Sequence, residues 1–149
     1  MKIDVETQIV IDRPRDQVAA YAADPTNAPA WYSNIDSVNW LTQPPVRTGS
    51  QMTFVARFLG RRLQYTYEVV DLVPGERLVM RTPSGPFAME TTYSWTDAGA
   101  GKTKMSLRNR GEPSGFASVA ARVMAGAVRR ETLKNLATLK EMLERRERP

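Results

Sequence analysis

The sequence predicts an α+β fold: a curved antiparallel sheet of six or seven strands wraps around one long C-terminal helix, with two short helices after the first strand. Three observations carry this. Positions 116–146 contain no proline and one glycine, Gly126, in a run rich in Ala, Leu, Met, Arg, Lys and Glu. That is the composition of one helix, about 45 Å long at 1.5 Å per residue. Almost everything before it alternates between apolar and polar residues, the period of half-buried strands. Short turns marked by proline and glycine separate these runs, and such meanders pair antiparallel, one face dry and one wet. At 149 residues the chain is expected to be one domain, 1–149, with a core that needs no disulfide or metal.

Each element has its own local reason. Ile3, Val5, Ile9 and Ile11 alternate with Asp4, Glu6, Gln8 and Asp12, which makes a half-buried strand. Pro14 presets a helical φ for a first turn, and Val18, Tyr21 and Ala22 give that short helix its apolar face. Asp24-Pro25 closes it, because the residue before a proline is pushed out of the α region. A second short helical turn is predicted from Pro25 or Thr26 to about Trp31 and Tyr32. A strand over 35–42 ends at Pro44-Pro45, and Met52, Phe54, Ala56 and Phe58 share one face of the next, which turns at Gly60. Leu63, Tyr65, Tyr67 and Val69 alternate with Gln64, Thr66 and Glu68. Pro74-Gly75 fits the centre of a type II turn, where glycine supplies the positive φ. Leu78 and Met80 precede a turn at Pro83-Ser84-Gly85-Pro86. Phe87, Met89, Thr91, Tyr93 and Trp95 line one face of the following strand, which ends at Asp97-Ala98-Gly99. The last strand sets Met105, Leu107 and Asn109 against Lys104, Ser106 and Arg108.

The terminal helix carries two apolar sets. Phe116, Ala120, Val123 and Ala127 form one, and Val128, Thr132, Leu136, Leu139 and Leu143 the other. They are offset by one residue, or about 100° of rotation. A regular helix cannot turn both to one surface, so a bend or irregular hydrogen bond is predicted between Val123 and Glu131, where Gly126 resists bending least. The segment before it is then expected to be a mobile gate. Glu131 and Asn135 lie close to the apolar path.

Composition excludes several function classes. The chain has no cysteine and no histidine, which removes disulfides, thiol nucleophiles, Ser-His and Cys-His arrangements and the commonest metal ligand. The remaining carboxylates are scattered, so no metal site and no cofactor is expected. The net charge is +5, but a nucleic-acid reading needs a basic face with stacking aromatics or a docking motif. Glu144 and Glu147 interrupt the C-terminal basic run, and Glu141 precedes Arg145 by one helical turn, the favourable order for an ion pair. A solvated helix face is predicted, not a phosphate-binding one. Gly101-Lys102-Thr103 ends like a phosphate-binding loop, but Thr96 stands where the first glycine belongs and a strand follows, so nucleotide binding is rejected. The first residues are charged and alternating, with neither a signal peptide nor a transmembrane run, and a cytoplasmic location is expected.

The inward faces hold an uneven set of large side chains: Phe54, Phe58, Tyr65, Tyr67, Met80, Phe87, Met89, Tyr93, Trp95 and Met105. Methionine with Tyr and Trp suits an adaptable cavity better than a jigsaw of Leu, Ile and Val does. Such cavities take small, largely apolar ligands oriented by a few polar groups. The residues expected to line one are Trp31, Phe54, Phe58, Tyr65, Tyr67, Met80, Met89, Thr91, Trp95, Met105, Val123 and Met124. Of the acids, Asp71, Glu76 and Glu90 fall outward or at turns. Glu131 is the one candidate for a carboxylate in the cavity, where a buried acid needs a partner.

The chain resembles the START-like, or helix-grip, superfamily, and within it the polyketide cyclase/dehydrase group (SRPBCC). Ile9-Val10-Ile11-Asp12-Arg13-Pro14-Arg15-Asp16-Gln17-Val18 is similar to the family's first strand and its P-x-x-x-V helix start. Asp24-Pro25 followed by Pro29-Ala30-Trp31 is similar to its second helical region. The stretch from Tyr67 through Val73-Pro74-Gly75-Glu76 to Leu78 is similar to its central strand and turn. The resemblance implies a cavity between sheet and long helix, entered near the helix's N-terminal half. It also implies a choice between functions, because members include ligand carriers, aromatase/cyclases and quinone-binding proteins. Two readings follow: a binder of a hydrophobic small molecule, polyketide-, lipid- or quinone-like, or a cofactor-free cyclase, aromatase or dehydratase using Tyr and Trp groups in the cavity. The family's cyclases also use inward arginines, and no arginine here is clearly phased inward. That, with the absence of histidine, favours binding. A third reading, a protein–protein adaptor using the basic helix, is weaker, and the oligomeric state is left open.

Overall fold

A computed structural model describes residues 3–58, 60–83, 87–113 and 118–146. The elements run β1 (Ile3–Ile11), α1 (Arg15–Ala22), a 3-10 turn (Pro25–Asn27), α2 (Ala28–Trp31), β2 (Ile35–Trp40), β3 (Gln51–Phe58), β4 (Arg61–Val73), β5 (Arg77–Arg81), β6 (Phe87–Asp97), β7 (Thr103–Pro113) and α3 (Ser118–Arg145). The seven strands form one sheet in the order β1-β7-β6-β5-β4-β3-β2, every neighbouring pair antiparallel. Hairpins join β2 through β7 in sequence. The first strand instead pairs with the last, so α1 and α2 carry the chain across to the far edge.

Two register shifts bend the sheet, one between Ile35 and Ser37 against β3 and one between Val69 and Asp71 of β4 against β5. An extra residue on one strand raises local twist and curls the sheet. β2 ends at Trp40, two residues short of the predicted 35–42, because Leu41 N–H and Thr42 N–H both donate to Gln51 O. Pro14 stands at the N-cap of α1 with extended backbone (φ −61°, ψ 149°) instead of inside its first turn.

α3 differs from the sequence expectation in one respect. It is α-helical throughout 118–145, and no irregular turn marks Gly126. Among the described residues the helix has one inward face, the second set's, and Val123 of the first set is not on it. Val123 is 61% exposed, and Met124 takes its place, so the inward line runs Met124, Val128, Thr132, Leu136, Leu139 and Leu143 at steady spacings of three and four. The predicted gate rested on the same irregularity and loses its basis. Phe116 lies outside the described residues.

The helix rests chiefly on β1, with lighter contact to β7 and α2. Its C-terminal half is locked down. Leu136, Leu139 and Leu143 are fully buried, together with Ile11, Val18, Leu78, Met105 and Leu107. Arg13, 7% exposed, donates through Nη2 to the Glu144 carbonyl and to Arg146 O at 2.6 Å, and through Nη1 to Asp12 O at 2.6 Å. Helix C-terminal carbonyls have no partner within the helix, and a cation there also meets the negative end of the dipole.

Candidate functional site

Because α3 lies over the β1 edge, the middle of the sheet is not filled from above. A cavity of about 210 Å³ lies there, between β3–β6, the residues around α1 and α2, and the middle of α3. Strand alternation decides which side chains reach it. From β3 come Phe54, Ala56 and Phe58, and from β4 Leu63, Tyr65 and Tyr67. β5 gives Leu78 and Met80, β6 Met89, Thr91 and Tyr93, and α3 Met124 and Val128. Cross-strand register stacks Phe54 on Tyr65, with ring centroids 5.6 Å apart, and sets Tyr67 edge-on to both.

Of the twelve residues expected in the cavity, the structure brings Phe54, Phe58, Tyr65, Tyr67, Met80, Met89, Thr91 and Met124 to it. The other four require correction. Trp95 and Met105 are register partners on the cavity face, but one layer beyond Tyr93, where α1 and the leucines of α3 cover them; they are 2% and 0% exposed. Trp31, 1% exposed, packs its ring against Tyr32 and Tyr93. These three belong to the solid core. Val123 points to solvent, as described above.

Three polar groupings border the cavity. Tyr67 Oη lies 2.7 Å from Thr91 Oγ1, and Thr91 donates onward to Asn109 Oδ1 at 2.8 Å. Thr91 has one hydroxyl proton and directs it to Asn109, so the Tyr67 hydroxyl is the donor to Thr91. Tyr32 and Tyr93 hydroxyls sit 2.5 Å apart. Two hydroxyls sharing one bond leave one proton uncommitted, a donor beside the cavity. Tyr65 Oη has no hydrogen-bond partner among the described residues. Burial pushes Tyr67 up to about 12 and moves Tyr32, Tyr65 and Tyr93 upward too. All four therefore stand as neutral phenols at physiological pH.

The third grouping joins α3 to the loop after α2. Ser33 Oγ donates to Glu131 Oε1 at 2.6 Å, and Ser33 N–H donates to Asn135 Oδ1 at 3.1 Å. Glu131 and Asn135 both line the cavity, and Asn135 is 1% exposed. Their nearness to the apolar path of the helix is the signal that found them. Tyr32 and Asn109 carried weaker signals: Tyr32 ends a short helical turn, and Asn109 shares a strand face with Met105. Asp71 and Glu90 are committed elsewhere, Asp71 to Arg77 at 2.6 Å and Glu90 to both Arg81 and Arg110. The hydrogen bonds from Arg110 and Arg81 hold the Glu90 carboxyl below its usual range. Among the described residues no three of His, Cys, Asp or Glu gather as a metal site, and no helix is long and apolar enough to cross a membrane.

Comparison with known proteins fits this geometry to a class. The model of the family described as polyketide cyclase / dehydrase and lipid transport matches residues 2–144. The chain belongs to that family, and its architecture is the helix-grip, START-like fold. Among solved structures it is similar to the Zhui aromatase/cyclase from Streptomyces sp. R1128, at 17% identity and a TM-score of 0.84 over 98% of this chain and 96% of the other. A START superfamily protein from Mycobacterium smegmatis gives 17% identity and a TM-score of 0.79, over 95% and 97%. A protein from Thermus thermophilus gives 18% and 0.80, over 93% and 94%. At such identities the likeness is one of fold. No curated protein matches the sequence.

Proposed function

We propose that the protein binds and carries a hydrophobic small molecule, polyketide-, lipid- or quinone-like, in the cavity between sheet and α3, as a cytoplasmic protein without a cofactor. One observation carries this reading. The cavity is built of Phe, Tyr, Met, Leu and Ala side chains, with a few convergent polar groups at Tyr32/Tyr93, Thr91/Asn109 and Glu131, the make-up of a small-molecule site. Family membership supports it, since the family's description names lipid transport beside cyclase and dehydrase chemistry.

The second reading, a cofactor-free cyclase or dehydratase, is favoured by a different observation: an uncommitted tyrosine proton and a carboxylate border the same cavity. A donor and an acceptor are the minimum for moving a proton. Native mass spectrometry of the purified protein, followed by extraction, separates the two. A carrier shows a bound hydrophobic molecule that is recovered unchanged after incubation; an enzyme converts it. Leu63→Trp fills the cavity from β4 and should abolish the adduct while the protein stays folded. An adduct that survives this substitution places the ligand elsewhere and overturns the cavity reading.

A further inference from the structure

Glu131 is the one carboxylate bordering the cavity that has no arginine or lysine partner among the described residues; the other, Glu90, is held by Arg81 and Arg110. Its Oε1 accepts from Ser33 Oγ at 2.6 Å, while Oε2 has no partner among the described residues. The helix neighbours do not neutralise it. Arg130 and Lys134 are exposed, and Arg129 is turned towards β1, where its Nη1 donates to Glu6 O at 3.4 Å. Asn135 one turn on is engaged with the same loop, accepting from Ser33 N–H. The carboxylate is thus fixed in orientation with one oxygen open, at the border of a largely apolar space.

A carboxylate only accepts hydrogen bonds. Whatever meets the open oxygen must donate, and a group that also carries positive charge adds Coulomb attraction to the half-buried carboxylate. An anionic head would meet repulsion in the same place. We propose that the cavity selects ligands whose apolar body carries a protonated amine, with Glu131 as the counter-ion and Ser33 and Asn135 as the groups that position it. This rests on the cavity-binding reading above and narrows its ligand class.

Three probes with one ring system and different heads test it: naphthylethylamine, the neutral naphthylethanol and the anionic naphthylacetate, titrated by ring fluorescence. The amine should bind about tenfold tighter than the alcohol, the low end of what a charge-assisted hydrogen bond gives, and the acetate weakest. Glu131→Gln keeps the acceptor for Ser33 and removes the charge, so the amine's advantage should vanish with little change for the alcohol. Glu131→Lys should invert the order and favour the acetate. An acetate or alcohol that binds the wild type as tightly as the amine overturns the proposal, as does an amine preference that survives Glu131→Gln. A different failure belongs to the carrier reading: if no probe binds, or binding of all three ignores Leu63→Trp, the cavity is not the site, and the ligand class proposed for it falls as well.

Discussion

The tyrosines around the cavity tie the fold's stability to alkaline pH. Tyr67, 7% exposed, has its hydroxyl pushed up to about 12 by burial, against an ordinary value of about 10 in an unfolded chain. Between those values the unfolded chain has released a proton that the folded one still holds. Stability is therefore complete below about pH 10 and falls as pH rises towards 12. One unit is worth about 1.4 kcal/mol, so Tyr67 alone costs about 1.4 kcal/mol by pH 11 and about 2.3 kcal/mol by pH 12, where the folded-state group is itself half ionised. Burial shifts Tyr32, Tyr65 and Tyr93 the same way. A domain's total stability is only about 5–15 kcal/mol, so the loss from Tyr67 alone is a sizeable share of it, and the other three add to it in the same direction. Urea unfolding at pH 8 and pH 11, followed by circular dichroism beside tyrosinate absorbance, measures the effect. Tyr67→Phe should start about 1 kcal/mol less stable at pH 8, having lost its bond to Thr91. It should then lose about 1.4 kcal/mol less than the parent between the two pH values. Equal losses in parent and variant, or buried tyrosines that ionise near pH 10 in a folded protein, would refute the reasoning.

Two further outcomes test the helix. Arg13→Met removes the charged hydrogen bonds to the last carbonyls of α3 and should cost about 3 kcal/mol, lowering Tm by roughly 6–12 °C; a drop under about 2 °C would show that the guanidinium does not hold the helix end. Gly126→Ala places a methyl group where nothing lies within 4 Å, in a regular stretch of helix, and should raise stability by about 0.5–1 kcal/mol. Differential scanning calorimetry that shows a loss instead would mean the backbone there is not helical in solution.

The fold was legible because local signals agreed with one another. Alternation in β1 and β3–β7, prolines at the ends of α1, and glycine at Gly60 and Gly75, both at positive φ, all point to the same meander. α3 misled for a specific reason. The short side chains near Gly126 define its face weakly, and choosing Val123 over Met124 rotated the first half by one residue. The fully buried line Leu136, Leu139 and Leu143, extended backwards in steps of four, leads to Thr132, Val128 and Met124 and would have placed the face correctly. Glu131 was visible only as a polar residue close to that path. Its Ser33 partner lies ninety-eight positions away, and no periodicity reports such a distance.

The limit on the site is of another kind. Alternation says which face a side chain takes but not how deep along the sheet it sits. Tyr93 and Trp95 share a face of β6, two residues apart, yet Tyr93 borders the cavity and Trp95 is core. What separates them is the cover. The C-terminal leucines of α3 and Ala19 of α1 share the buried cluster with Trp95 and Met105, and none of them lines the cavity. The N-terminal half of α3 offers Met124 and Val128, which border open space at the Tyr65–Tyr67 layer. Depth is therefore set by the helices and not by the strands that supply the lining. The polar groups sit around the loop after α2: Ser33 joins it to Glu131 and Asn135 of α3, and Tyr32 joins it to Tyr93 of β6. A ligand's polar head would meet fixed partners there, while its apolar body lies against the methionines and tyrosines of the cavity.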